Sequence, residues 1–90
     1  MYRLQISEEA DHDLSRLKKS EPQAFKKALQ LLDELVEHPQ TGTGHPELLK
    51  RDRPGQWSRR INKKHRLVYE IREEIVFVLV LQAYGHYDDK

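Results

Sequence analysis

The second half of the chain contains three side chains whose combined chemistry matches what RNA cleavage without a metal requires. Glu47 offers a carboxylate, Arg66 a permanent positive charge and His86 an imidazole. Attack by an RNA 2′-hydroxyl needs a base to take its proton, a cation to stabilise the phosphorane and an acid to protonate the leaving oxygen. Imidazole suits the last step, because its reference pKa of about 6.5 allows proton donation near neutral pH.

Two of these residues bound a strongly cationic segment. Residues 47–66 contain eight Lys and Arg against two Asp and Glu, a net charge of +6, whereas the parts before and after carry −2 and −3. The formal charge of +1 for the whole chain hides this polarity. Trp57 lies within the segment and Tyr69 follows it. Dense cations interleaved with aromatic rings are typical of a surface that binds phosphodiesters, although we expect Trp57 itself to anchor the core.

Each candidate also has an ordinary interpretation. Glu47 can be a surface carboxylate that balances nearby lysines, Arg66 a solvated strand arginine, and His86 a histidine without function. The remaining histidines share no ligand spacing of the His-x₃-His kind; they are His12, His38, His45 and His65. Because the sequence also lacks cysteine, we expect neither a metal site nor a cofactor.

The first part of the sequence predicts a strand and a helix. Apolar residues at positions 2, 4 and 6 alternate with polar ones, which indicates a half-buried strand. Ser7 is suited to cap a helix in which Ala10, Leu14 and Leu17 recur at helical spacing. This helix is predicted to end near Lys19.

A second, longer helix is predicted to follow. Ser20 and Gln23 have the spacing of a capping box, and Pro22 suits a first helical turn. The apolar stripe of this helix consists of Phe25, Ala28, Leu32 and Leu35. The pair His38-Pro39 is predicted to end it.

The rest of the chain predicts a loop and then a sheet. A polar loop over residues 40–45 delivers Glu47 toward the sheet. Strands are predicted over residues 57–61, 66–71 and 75–83, as an antiparallel meander. Helices followed by strands cannot alternate as βαβ units, so we predict an α+β fold with two helices on one face of a twisted, mainly antiparallel sheet of four to five strands. Leu67, Tyr69 and Ile71 then face the helices, and Arg66 faces the opposite side.

Length and composition predict one small domain over residues 1–90. The lack of cysteine is compatible with a reducing cytoplasm. The first residues lack the apolar stretch of a signal peptide, and no apolar run approaches the roughly 20 residues that span a bilayer. We therefore predict a soluble, cytoplasmic protein that has no membrane partner.

Six short motifs carry a resemblance to a known family. They are Pro46-Glu47, Leu49-Lys50, Gly55, Trp57-Ser58-Arg59-Arg60-Ile61, His65-Arg66-Leu67-Val68-Tyr69 and His86-Tyr87. This set resembles the YoeB (Txe) family of bacterial toxins within the RelE superfamily, and the similarity extends over nearly the whole chain. Members of that family are ribosome-dependent mRNA endonucleases, each neutralised by a co-expressed antitoxin. The fold implied by the resemblance is the α+β fold predicted above.

The resemblance also implies a role for each candidate residue. Glu47 would be the base, Arg66 the charge stabiliser and His86 the acid. The RNA-binding residues would be Lys50 and Arg60, which hold flanking phosphates, and Tyr87, which stacks on or positions the nucleotide. The implied partners are a YefM/Axe-like antitoxin, the ribosome and mRNA, and the family suggests a homodimer.

Two other classes of function remain open on the sequence alone. One is a RelE-like binding module that poisons a target such as gyrase by protein contact, without chemistry. The other is a basic RNA-binding protein without toxicity. A base, a cation and an acid occur together here, and a pure binder does not need that combination, which favours the endonuclease.

Overall fold

A computed structural model describes residues 1–49 and 55–85 of the chain. Its elements are β1 (Arg3–Ile6), α1 (Glu8–Ser20), α2 (Pro22–Glu37), β2 (Glu47–Leu48), β3 (Gln56–Arg60), β4 (Arg66–Arg72), a 3₁₀ turn (Glu73–Ile75) and β5 (Phe77–Gln82). The strands form one sheet in the order β1-β5-β4-β3-β2. The β1–β5 pair is parallel and the other pairs are antiparallel. Two helices against a mainly antiparallel five-stranded sheet confirm the predicted fold class.

Both helices begin close to their predicted starts, but only one is capped as predicted. Ser7 Oγ accepts a hydrogen bond from the Ala10 backbone N–H at 3.0 Å, which caps α1. The capping box predicted for α2 is wrong. Ser20 still belongs to α1, where its hydroxyl donates to the Arg16 carbonyl at 2.8 Å. Glu21 is the N-cap of α2 and makes no side-chain cap bond, and Pro22 occupies the first turn as predicted.

The core lies between the helices and one face of the sheet. Its buried residues are Ala10, Leu14, Leu17, Ala24, Ala28, Leu31, Leu32, Leu35, Ile61, Leu67, Tyr69, Val78, Val80 and Ala83. Trp57 and Ile71 pack against this cluster. Leu67 and Tyr69 therefore face the helices, as their alternation with Arg66 predicts. Across the described ranges neither helix has the length and apolar character needed to cross a membrane.

Two parts of the sheet differ from the sequence prediction. β5 begins at Phe77 rather than Ile75, because residues 73–75 form a 3₁₀ turn and Val76 has a left-handed φ of 51°, which interrupts the extended backbone. The loop predicted over residues 40–45 is present, but it is followed by the short strand β2, which was not predicted and which pairs with β3 at the sheet edge.

Candidate active site

The candidate residues that the structure describes share the sheet face that points away from the helices. Glu47 pairs with Ser58, Ser58 with Val68, and Arg60 with Arg66. Directly paired residues of antiparallel strands point to the same side of a sheet, and neighbours along a strand point to opposite sides. Because Leu67 faces the helices, Arg66 and its cross-strand partners face the other way.

The separation of Glu47 and Arg66 follows from this register. β2 and β4 lie two strand spacings apart, about 10 Å, and Arg66 lies two residues, about 7 Å, along β4 from Val68. The two backbone positions are thus about 12 Å apart. Both side chains are long and point to the same side, so they can reach a common phosphodiester group between them.

Arg60 and Arg66 form a cationic pair that no carboxylate neutralises within the described ranges. They sit directly opposite each other on neighbouring strands, an arrangement that is destabilising for like charges. Neither makes an ion pair with the residues that the structure describes. The Arg66 Nη1 atom is buried and has no hydrogen-bond partner there. Since buried donors normally have partners, a cationic group of this kind fits an anionic ligand.

Arg59, the neighbour of Arg60, points to the opposite face and is fully buried. All five of its N–H groups donate hydrogen bonds. Nε donates to the Tyr69 hydroxyl at 3.1 Å, and Nη1 donates to Glu34 at 2.8 Å and to the Thr43 carbonyl at 3.2 Å. Nη2 donates to the Thr41 carbonyl at 2.6 Å and to the His38 carbonyl. One buried guanidinium therefore fixes the loop that follows α2.

Glu34 completes this attachment from the last turns of α2. Its carboxylate accepts the Thr43 hydroxyl at 2.7 Å and the Thr43 backbone N–H at 2.9 Å. These two hydrogen bonds, with the adjacent Arg59, hold the pKa of the Glu34 carboxyl below its ordinary value. Glu34 therefore stays ionised, and it balances the buried charge of Arg59.

The same loop ends beside β3 at a glycine that no other residue can replace without a shift. The Arg60 backbone N–H donates to the Gly44 carbonyl at 2.6 Å. Gly44 has a φ of 88°, and a Cβ there would lie 2.9 Å from the Arg60 carbonyl oxygen. Both the left-handed backbone and the close approach require glycine. Glu47 follows three residues later, so its position depends on a loop that is anchored at both ends.

The chain after β5 is anchored beside Arg66. The Ala83 backbone N–H donates to Asp13 at 3.0 Å. The Gly85 carbonyl accepts the Arg66 N–H, and the Gly85 N–H donates to His65 Nδ1, both at 2.8 Å. Gly85 is therefore bound to His65 and Arg66, at the start of β4.

The outcome for the predicted site residues is mixed. Glu47, Arg60 and Arg66 lie on one face, as their proposed roles require. Three further predicted residues, Lys50, His86 and Tyr87, lie outside the described ranges, and their roles stay predictions. Among residues 1–49 and 55–85, no group of three His, Cys, Asp or Glu could hold a metal ion.

Sequence reasoning missed the buried residues that position this face. The signal for Arg59 was present, since it shares strand parity with Trp57, which was expected in the core. Its five acceptors could not be read from the sequence. His65 has no metal-ligand spacing in the sequence, and its hydrogen-bond partners lie 44 and 20 positions away.

Comparison with known proteins identifies the family. Residues 6–87 match the model of the family described as YoeB-like toxin of bacterial type II toxin-antitoxin systems. Toxin YoeB of Synechocystis is 36% identical over 76 residues, which cover 84% of this chain and 86% of the relative. The chain belongs to the YoeB toxin family, which confirms the resemblance seen in the motifs.

Solved structures agree with this assignment. The YoeB/ParE toxin from Agrobacterium tumefaciens superposes with a TM-score of 0.87 and 30% identity, covering 94% of this chain and 99% of that one. YoeB from Staphylococcus aureus, solved as a dimer, has a TM-score of 0.82, 30% identity and coverage of 96% and 98%. The same toxin in a heterotetrameric complex with YefM has a TM-score of 0.80, 30% identity and coverage of 97% and 99%. The two-helix, five-strand architecture is thus that of the family.

Proposed function

We propose that this toxin is a ribosome-dependent mRNA endonuclease that uses no metal ion and no cofactor. The observation that carries the proposal is the Arg60–Arg66 pair. The two cations lie opposite each other without a carboxylate partner in the described ranges, on the same face as Glu47. An RNA phosphate supplies the negative charge that this pair lacks.

The proposed reaction is an internal transfer of the phosphoryl group. The Glu47 carboxylate takes the proton of the 2′-hydroxyl, and the freed oxygen attacks the adjacent phosphorus. Arg66 stabilises the negative charge that develops on the phosphorane oxygens. The bond from phosphorus to the 5′-oxygen then breaks, and His86 gives its proton to that oxygen. The products carry a 2′,3′-cyclic phosphate and a 5′-hydroxyl.

The remaining predicted residues bind the RNA on either side of the cut. Arg60 is exposed next to Arg66 and can hold a flanking phosphate. Lys50 would hold another, and Tyr87 would stack on the nucleotide. These contacts orient the scissile phosphate between Glu47 and Arg66, which is where much of the rate enhancement of such an enzyme arises.

The proposal includes the partners found with relatives. YoeB from Staphylococcus aureus has been solved as a dimer and in a complex with the antitoxin YefM. By analogy, this chain binds a cognate antitoxin of the YefM/Axe kind and can form a homodimer. Its action on translating ribosomes and mRNA places it in the cytoplasm.

The decisive experiment uses programmed ribosomes and an mRNA with one 2′-deoxynucleotide at the mapped cleavage position. The deoxy substitution should abolish cutting at that position. Arg66→Ala should lower the cleavage rate about 10²–10³-fold, and Glu47→Gln and His86→Gln about 10²–10⁴-fold. Arg72→Ala is a matched control, because Arg72 lies on the same strand and face but is paired with Glu70 at 2.9 Å. The cleavage rate of Arg72→Ala should equal that of the unsubstituted protein.

Four results would contradict parts of the proposal. Cutting of the deoxy substrate would exclude attack by the 2′-hydroxyl. Normal cleavage by Glu47→Gln beside an inactive Arg66→Ala would return Glu47 to the role of a surface carboxylate. Growth arrest without new mRNA ends would favour a toxin that acts by protein contact alone. A minimal RNA that is cut only after a divalent ion is restored to an EDTA-treated reaction would contradict metal independence.

A further inference from the structure

We infer that His65, held by Glu21, is a positioning residue of the active site. It fixes Gly85, the residue that directly precedes His86. This inference rests on the proposed function, since it concerns how the proton-donating end of the chain is placed. It assigns a role to two residues outside the Glu47, Arg66 and His86 set. The juxtaposition that carries it is a line of hydrogen bonds from Glu21 through His65 to Gly85.

The hydrogen bonds determine the tautomer of His65. The Gly85 backbone N–H lies 2.8 Å from Nδ1, and a backbone N–H can only donate. Nδ1 must therefore be the unprotonated nitrogen, and Nε2 carries the proton. Nε2 lies 2.8 Å from Glu21 Oε2 and donates to it. His65 is 1% exposed, so its ring nitrogens are shielded from water. One ring nitrogen of the buried imidazole therefore binds Gly85, and the other binds Glu21.

Glu21 is placed to keep that tautomer. It is the C-cap of α1 and the N-cap of α2, and its backbone is held by hydrogen bonds to Leu17 and Phe25. The hydrogen bond from His65 is the main reason that the pKa of the Glu21 carboxyl is held below its ordinary value. The carboxylate accepts the Nε2 proton and leaves Nδ1 free as the acceptor for Gly85.

Gly85 is held from both sides by consecutive residues. Its N–H binds the His65 side chain, and its carbonyl accepts the backbone N–H of Arg66 at 2.8 Å. The peptide groups around Gly85 are therefore fixed relative to the first residue of β4, which carries the proposed charge stabiliser. Gly85 has a φ of 74°, and a Cβ there would meet nothing within 4 Å. Glycine is needed here for the left-handed backbone rather than for space.

Neighbouring contacts hold the imidazole plane. Tyr84 packs on His65 with ring centroids 4.3 Å apart, and the guanidinium of Arg16 lies 3.7 Å from the centre of the Tyr84 ring. Tyr84, itself covered by Arg16 of α1, therefore lies against one side of the His65 ring. The imidazole thus contacts Glu21 at the helix junction and Tyr84 and Gly85 after β5.

The test uses the two amides that imitate different nitrogens of histidine. Asparagine in His65→Asn puts an oxygen near the position of Nδ1, so it can still accept the Gly85 N–H. Glutamine in His65→Gln reaches the position of Nε2 and leaves the Gly85 N–H unbonded. Cleavage kinetics on programmed ribosomes should show kcat reduced about 10–100-fold for His65→Gln, with KM little changed, because the reacting groups are misplaced while RNA contacts remain. His65→Asn should retain most of the kcat that His65→Gln loses.

A second measurement needs no RNA and tests whether Glu21 and His65 hold Gly85; we call these three residues the clamp. The chain has four glycines, so ¹⁵N-glycine labelling gives a simple amide spectrum in which Gly85 can be assigned. Hydrogen exchange of the Gly85 amide should be slow in the unsubstituted protein and in His65→Asn, and fast in His65→Gln. If His65→Gln does not fold, Glu21→Ala and Glu21→Gln replace it. Alanine removes the acceptor for Nε2–H and should speed Gly85 exchange and lower kcat, whereas glutamine keeps an acceptor and should do neither.

The outcomes separate the inference from the proposed function. Fast exchange at Gly85 in the unsubstituted protein, or slow exchange in every variant, would show that the clamp does not hold Gly85. Fast exchange in His65→Gln or Glu21→Ala with an unchanged kcat would show that the clamp is structural only, while the endonuclease proposal stands. If the unsubstituted protein cuts no RNA, the proposed function and the positioning role both fail, and Gly85 exchange still decides whether the clamp forms.

Discussion

Adjacent arginines on β3 have opposite surroundings. Arg59 is buried among five acceptors, whereas Arg60 is exposed and makes no ion pair within the described ranges. Their chemistry is identical, so the difference arises only from strand alternation. One arginine builds the fold on the helix side, and the other is available to RNA on the opposite face.

This pair yields a stability prediction at the residue scale. Arg59→Lys keeps the charge but replaces five fixed donors with three on a single nitrogen, which leaves buried carbonyls without partners. We expect the free energy of unfolding in urea to fall by about 2–4 kcal/mol. The matched control Arg60→Lys should change it by less than about 0.5 kcal/mol, because that side chain is exposed. Equal losses for the two variants would mean that Arg59 does not anchor the loop.

Candidate residues could be identified from the sequence where a motif marks a single position, but not where a contact joins several distant positions. Motifs marked Glu47, Arg60 and Arg66 directly, and strand parity gave the face of Arg66. That Glu47 shares this face depends on its pairing in β2, which the sequence did not predict. The hydrogen bonds of His65 were not predicted, because one partner is a carboxylate at a helix junction and the other is a backbone N–H. A backbone donor leaves no trace in the sequence, so neither periodicity nor ligand spacing could have indicated it.

At the scale of elements, local patterns predicted the helices and the meander. Helical spacing of apolar residues gave both helices, and alternation gave β3 and β4 to within about one residue. β2 was missed because two residues cannot show alternation, and its pairing depends on the loop that Arg59 and Glu34 anchor. The parallel pairing of β1 with β5 joins segments 74 positions apart, and local patterns carry no signal for such a contact.

The loop anchored by Glu34 gives an element-scale prediction of pH dependence. The pKa of Glu34 is lowered in the folded protein from its ordinary value of 4.5, chiefly by the Thr43 hydroxyl. Its stabilising contribution is therefore complete above the ordinary value and is lost as the pH falls through the lowered folded pKa. Thr43→Val removes the hydroxyl with little change in shape. We expect it to lower stability by about 1 kcal/mol at pH 7.

The dependence of stability on pH below 4.5 distinguishes an effect through the Glu34 charge from a loss of packing around Thr43. The difference in melting temperature between Thr43→Val and the unsubstituted protein should narrow as the pH falls below 4.5 and Glu34 becomes protonated. Some acid sensitivity should persist in the variant, because the Glu21 pKa is also lowered by its bond to His65. A difference that stays constant from pH 7 to pH 3 would show that Thr43 acts through packing and not through the Glu34 charge.

At the scale of the whole molecule, charge is distributed unevenly along the chain. Residues 47–66 carry a net charge of +6, and they include the cations of the helix-free face. Binding of RNA to this face should release counterions, so the affinity should fall with added salt. Arg60→Ala and Lys50→Ala should each reduce the slope of log K against log salt by about 0.7, the value for one phosphate of a single strand.

Control variants on the helix layer test whether this salt dependence belongs to the site. Lys26→Ala removes an exposed cation from α2 and should leave the slope unchanged. Binding of the unsubstituted protein to a short RNA, measured by fluorescence anisotropy at several salt concentrations, gives the reference slope. If the slope is close to zero, apolar contacts dominate and the cationic face is not the RNA-binding surface.

The same polarity predicts how the toxin is restrained. A cationic face that is left exposed would attract nucleic acid without control, so we expect the adjacent reading frame to encode a small protein with an acidic, flexible segment that covers it. The purified partners should form a tight complex that excludes RNA. Arg60→Glu should weaken the complex about tenfold or more, whereas Lys26→Glu, on the helix layer, should leave it unchanged. Equal weakening by the two substitutions would place the antitoxin elsewhere, and failure to bind the product of either neighbouring frame would refute the prediction.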